Sequence, residues 1–211
     1  MAGHITSLEF QKHTDERVNV CVDGKYALAL PALEAAQLKV GQLLTDADLA
    51  RLRELDSTAK AYDRAVQYLS VRPRSTAEVR RRLQEAEVDE EAIEAAIARL
   101  TEQGYLNDAE FARYWVENRQ RFRPKGEQAL RQELRRAGVD SEAIDESLAG
   151  LDASEAAYAA ARPRAERLQA LAEEDQAAFR QKLGNFLLRR GFSYEVAREV
   201  TKRLLREMEE E

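Results

Sequence analysis

Arginines are the residues whose spacing in this chain could do chemistry. Arg72, Arg74, Arg80, Arg81 and Arg82 crowd into SVRPRSTAEVRRRLQEAEV, residues 70–88. A second run, RFRPKGEQALRQELRRAGV at 121–139, carries Arg121, Arg123, Lys125, Arg131, Arg135 and Arg136. Arg189 and Arg190 occur at a comparable place near the C-terminus. A guanidinium forks onto a carboxylate or a phosphate through paired, oriented hydrogen bonds, so such clusters suit recognition of an acidic protein surface or a nucleic-acid backbone. Val79 and Leu83 lie four apart and must face inward, which fans Arg80, Arg81 and Arg82 around the rest of a helix. A single arginine fits solvated decoration, with Glu85, Glu87 and Glu91 nearby as counter-charges. The clustered set fits a docking stripe.

Other chemistries find little support. The two histidines, His4 and His13, both fall in the N-terminal segment, away from any acid–base partner in the rest of the chain. The single cysteine, Cys21, excludes an internal disulfide framework and a multi-cysteine zinc site. There is no phosphate-binding loop of the Gly-x4-Gly-Lys-Ser/Thr kind. The expectation is a protein that is not an enzyme and carries no cofactor. Tyr105, Phe111, Tyr114 and Trp115 could be read as a base-stacking platform, but helical spacing favours a packing role. A helix-turn-helix reader of DNA would need donors aimed at base edges, whereas Asp89-Glu-Glu-Ala-Ile-Glu would repel phosphate. The net charge of −6 also argues against coating nucleic acid, leaving DNA contact weak and salt-sensitive or indirect.

The elements that must hold these side chains are helices. Glycine and proline are sparse, at 9 and 4 of 211 residues, and Ala, Leu, Glu and Arg are abundant. Only residues 5–30 differ. There Val18, Val20 and Val22 alternate, as do Tyr26, Leu28 and Leu30, around Asp23-Gly24, a dipeptide suited to a tight type I′ hairpin. Ile5 to Phe10 adds a third strand through a turn at residues 13–16, giving a small antiparallel meander that leans on the following helix. From about residue 32 the pattern is helical almost without break. Ser75-Thr-Ala-Glu78 and Asn107-Asp-Ala-Glu110 read as capping boxes, and Gly104, Gly138, Gly150 and Gly191 as stops. No apolar stretch is long enough for a membrane span, and no signal-peptide core precedes the strands, so a cytoplasmic chain is expected.

These marks expose a repeat. At offsets of 51 and 53, Val79 falls over Leu130 and Leu183, and Leu83 over Leu134 and Leu187. Val88 then meets Val139 and Phe192, and Leu100 meets Leu151 and Leu204. Pro73 matches Pro124, with Ala177 in the third copy. The fold expected is mainly α: tandem three-helix repeats in an elongated curved array, preceded by a small antiparallel β-meander. Boundaries follow at 1–56 for the meander with short helices, 57–121 and 122–171 for two repeats, and 172–211 for a shortened third. Glu87 stands where the other copies have Gly138 and Gly191, so the first copy's helix is expected to fray or end by another route.

The runs AYDRAVQYLSVRPRSTAEVRRRL, LTEQGYLNDAEFARYWVENR and FLLRRGFSYEVAREV resemble the RecX family of bacterial regulatory proteins, from about residue 60 to the C-terminus. The most specific stretch is Gly104-Tyr-Leu-Asn-Asp-Ala-Glu-Phe-Ala112, supported by Arg72-Pro-Arg-Ser75 and Arg190-Gly-Phe-Ser193. A monomer is expected, and the resemblance implies a protein that binds the RecA recombinase and lies in the groove of its DNA filament. It also implies modulation, in most members inhibition, of filament growth, ATP hydrolysis and strand exchange. The alternative is an autonomous DNA-binding helical protein competing for single strands.

Overall fold

The computed structural model describes residues 2–12 and 14–210. Strands β1 (Gly3–Gln11), β2 (Thr14–Val22) and β3 (Lys25–Pro31) form the meander, joined by β4 (Leu43–Leu44) in the order β3-β2-β1-β4. Val18 pairs with Leu30 and Val20 with Leu28, which sends these four side chains to one buried face. Asp23 and Gly24 both take positive φ, 49° and 79°, as a type I′ turn requires. The first hairpin turns earlier than expected, because β2 already begins at Thr14; His13, within the expected turn, lies outside the described residues.

A short helix α1 (Ala32–Ala35) precedes α2 (Asp46–Leu69), which starts in a capping box between Thr45 and Asp48. Leu49, Leu52 and Leu55 of α2 cover the sheet core of Ile5, Val18, Val20, Leu28, Leu30 and Leu44. Asp56 is buried there, paired with Arg17 of β2 and with Lys60, 2.7 Å away. Arg17 thus ties the helix to the sheet, while Lys60, one turn along α2, adds a second positive charge beside a carboxylate that would be costly unpaired.

The far end of α2 joins α3 (Thr76–Gln84) and α4 (Glu90–Glu102) around Ala61, Ala65, Val79, Leu83, Ile93, Ala96, Ile97, Leu100 and Leu106. Helices α5 (Asp108–Phe122), α6 (Glu127–Arg136) and α7 (Ser141–Leu148) share a second core, with Phe111, Ala112, Val116, Leu130, Leu134 and Ile144. A third contains α8 (Ala153–Glu166), the small α9 (Gln169–Glu174), α10 (Gln176–Arg189) and α11 (Tyr194–Glu210), centred on Phe179, Leu183, Leu187, Phe192 and Leu204. Leu83, Leu134 and Leu187 therefore occupy matching places, each at most 1% exposed. The chain divides into two compact units. One holds the sheet, α2, α4 and α3 from Glu78; the other holds Pro73–Ala77 and Asn107–Glu211.

Two sequence boundaries move. The cores change over between α4 and α5, ahead of residue 121, because Phe111 and Val116 pack on Leu130 and Leu134. The third group begins at α8, ahead of residue 172, and packs α8, α10 and α11, with the small α9 among them, around one core rather than a shortened set.

Helix α3 ends in the same left-handed turn as α6 and α10 despite its glutamate. Glu87 takes φ 55°, beside 82° at Gly138 and 84° at Gly191, and Val88 N donates to Leu83 O at 3.2 Å. That conformation costs a non-glycine residue about 1–2 kcal/mol. Glycine is needed at the other two positions for a second reason. A Cβ at Gly138 would stand 2.3 Å from Ala77 Cβ, and one at Gly191 2.5 Å from Ala129. Beside these contacts Ser75 Oγ donates to Ala137 O, and Gly126 N donates to Arg190 O at 2.9 Å. Gly150 is not left-handed; α7 ends instead through Ala149 in right-handed geometry.

Candidate functional site

The structure sorts the arginines by what they touch. Arg72 forks onto Glu78 with contacts of 2.8 and 3.4 Å, bracing the first turn of α3, and Arg74 is half-buried beside it in sequence. Arg80 crosses to α4, reaching Glu94 at 3.1 Å and Glu90 at 3.2 Å. Arg131 does the same in the second group, holding Glu127 at 2.8 Å and Asp145 of α7. Lys125 is turned onto Glu133. Arg190 is half-buried over the Phe186 ring, with one Nη donating to Pro124 O at 3.1 Å; burial, then the nearby Arg123 charge, lower its pKa. These side chains have partners within the fold.

The remaining cations face solvent. Arg81, Arg135, Arg136, Arg123 and Arg189 are exposed and form no ion pair among the described residues. Arg82 lies 3.6 Å from Glu85 and over Tyr68, and Arg121 lies over the exposed Phe122 ring. Arg81 and Arg82 end α3, Arg135 and Arg136 end α6, and Arg189 ends α10. A cation in a last turn is favoured by the helix dipole, so these positions are stable places for an outward charge.

Glu133 is the best-connected carboxylate of the second group. It accepts from Trp115 Nε1 at 2.8 Å, Arg119 Nε at 2.9 Å and Lys125 Nζ. Burial alone would raise its pKa, but the bonds from Lys125, Arg119 and Trp115 outweigh that and hold it below the usual glutamate range. Of the four aromatics expected in the core, Phe111 is buried and Trp115 packs against it at 5.7 Å. Tyr105 and Tyr114 are 62% and 39% exposed, because each sits on the side of its segment away from the core. Among the described residues no helix is long and apolar enough to cross a membrane, and no cluster of His, Cys, Asp and Glu could hold a metal ion.

Four family models cover most of the chain. The N-terminal domain of regulatory protein RecX matches residues 3–45, and the first, second and third RecX three-helix domains match 61–100, 107–148 and 154–201. The regulatory protein RecX of Bacillus subtilis is 34% identical over 194 residues, spanning 91% of this chain and 74% of that one. The Bacillus licheniformis protein of the same name is 33% identical over 195 residues, or 92% and 74%. The chain belongs to the RecX family. A crystal structure of a regulatory protein RecX superposes with a TM-score of 0.76 at 28% identity, covering 95% of this chain and 99% of the other. That of RecX from Lactobacillus salivarius gives 0.62 at 25% identity, covering 71% and 97%. The RecX N-terminal match takes in strands β1 to β3. Sequence patterning passed over Arg180, Arg198 and Lys202, all exposed on α10 and α11. Their signal was the same repeat register, carried past the apolar positions to the charged ones.

Proposed function

We propose that this RecX-family chain is a non-enzymatic regulator that binds the RecA recombinase in the cytoplasm. It acts as a monomer in the groove of the nucleoprotein filament and restrains extension, ATP hydrolysis and strand exchange. The observation that carries the reading is the succession of four RecX domains along residues 3–201, shared with relatives named as regulatory proteins. The outward arginines at the ends of α3, α6 and α10 support a docking surface repeated from group to group. They supply orientation and association rate, while the buried Leu83, Leu134 and Leu187 keep each group rigid. Arg72, Arg80, Lys125, Arg131 and Arg190 serve this surface by shaping it, since their charges are already engaged.

A salt titration tests this reading against autonomous DNA binding. Affinity for free single-stranded DNA should be weak and fall steeply with salt, because counterion release drives it. Affinity for a preformed recombinase filament should exceed it by about two orders of magnitude or more, equivalent to roughly 3 kcal/mol. Equal affinities at moderate salt would overturn the filament reading.

A further inference from the structure

In the first two three-helix groups one arginine closes the crevice between the second and third helices. Arg80 of α3 reaches Glu94 and Glu90 of α4, and Arg131 of α6 reaches Asp145 of α7 with Glu127 beside it. The register that aligns Leu83 and Leu134 with Leu187 puts Gly184 at the arginine's place. It puts Arg198 where Glu94 and Asp145 stand, and Arg180 where Glu127 stands. In the third group the plug is missing and the acids that would hold it are cations.

What remains is an open groove of about 610 Å³ between α10 and α11, lined by Arg180, Gly184, Leu188, Arg198, Thr201 and Lys202 among others. None of the lining residues is acidic. Arg180 bonds the Gln176 amide oxygen at 3.1 Å, and Arg198 and Lys202 form no ion pair among the described residues. Two features have no use inside the chain. A mid-helix glycine weakens a helix relative to alanine, yet a Cβ at Gly184 would meet nothing within 4 Å. Thr201 takes the core place of Ile97 and Leu148; it is 3% exposed, lines the groove, and its hydroxyl has no hydrogen-bond partner.

We infer that this groove docks an acidic segment of a partner protein, with one carboxylate seated over Gly184 between Arg180 and Arg198 and within reach of the Thr201 hydroxyl. The sister groups show what the crevice is shaped to hold, a guanidinium–carboxylate pair, and here only the guanidinium side is present. Leu188 and Tyr194, 41% and 68% exposed on the rim, give apolar footing to a neighbouring side chain of the segment. A phosphodiester strand would offer sugar and phosphate there instead. The inference does not require the partner to be the recombinase.

The test is a titration of the isotope-labelled full chain with a short synthetic peptide of glutamate, aspartate and leucine, followed by amide chemical shifts. Single-stranded oligothymidylate serves as the comparator. Shifts should centre on residues 180–202, weaken with salt, and be larger for the peptide than for the oligonucleotide. The triple variant Arg180→Glu, Gly184→Arg and Arg198→Asp rebuilds the plug of the second group. It should melt no lower than the parent and bind the peptide at least about tenfold more weakly. Arg198→Glu, on an exposed position, should weaken binding without altering the fold. Undiminished peptide binding by the rebuilt variant, no shifts in the groove, or shifts produced by oligothymidylate alone would each overturn the assignment.

Discussion

Replacing Glu133 by alanine should destabilise the second unit measurably, and the size of the loss follows from its three donors. Hydrogen bonds to a charged group contribute about 1.5–3 kcal/mol each when well buried. Arg119 and Lys125 keep 28% and 32% of their side-chain surface in water, so both can be resolvated once the carboxylate is gone. Trp115 loses a 2.8 Å acceptor in a half-buried place. A net cost of about 2 kcal/mol is expected, which lowers the melting temperature of a chain this long by about 4–8 °C. Circular dichroism melts at neutral pH measure it. Glu127→Ala, on an exposed position of the same helix, is the control and should change stability by no more than about 0.5 kcal/mol. The pH dependence supplies a second readout. Glu133 has a folded pKa below its unfolded one, so its contribution is complete above the unfolded value, about 4.3, and fades as pH falls through the lower folded value. The gap between the parent and Glu133→Gln should therefore narrow in acid. Melting indistinguishable from the parent at neutral pH, or a gap that stays constant into acid, would refute the reasoning.

Glu87→Gly should stabilise the first unit by about 0.5–1 kcal/mol by relieving the left-handed φ, whereas Gly138→Ala should cost at least about 1–2 kcal/mol; chemical denaturation resolves both. Thr201→Val should raise stability by about 1 kcal/mol, since it removes an unpartnered buried hydroxyl, and a fall in melting temperature would contradict that account. Changing Arg81, Arg82, Arg135 and Arg136 together to alanine should leave helicity intact and reduce inhibition of recombinase ATP turnover. A folded variant with full inhibition would remove this set from the docking surface.

Much of the fold was legible because its signals are local. Asp23-Gly24 dictates a turn whatever surrounds it, and Val79 with Leu83 names the inner face of α3 without help from another element. The strand β4 left no trace, since Leu43 and Leu44 are too few to show alternation and pair only through β1. Glu87 misled because geometry elsewhere in the turn overrides a residue preference of a kcal or two. The site was less legible than the fold. Whether an arginine is spent internally depends on the residue facing it from another helix. Arg80–Glu94 and Arg131–Asp145 are both separated by 14 positions, a pairing that becomes meaningful only once the helices are known to be neighbours.

The contrast between Glu87 and its two glycine counterparts bears on how such a chain can lengthen. At 138 and 191 the turn is bare because a methyl group from an earlier stretch, Ala77 or Ala129, nests in the hollow. At 87 the residue is a glutamate, with a Cβ at the corresponding place and its surface exposed to water. A module added at the tail would need a small residue where Gln181 and Lys182 stand in the repeat register, so extension there requires a change in the third group. A new module ahead of the first would find a Cβ in its socket until residue 87 became glycine.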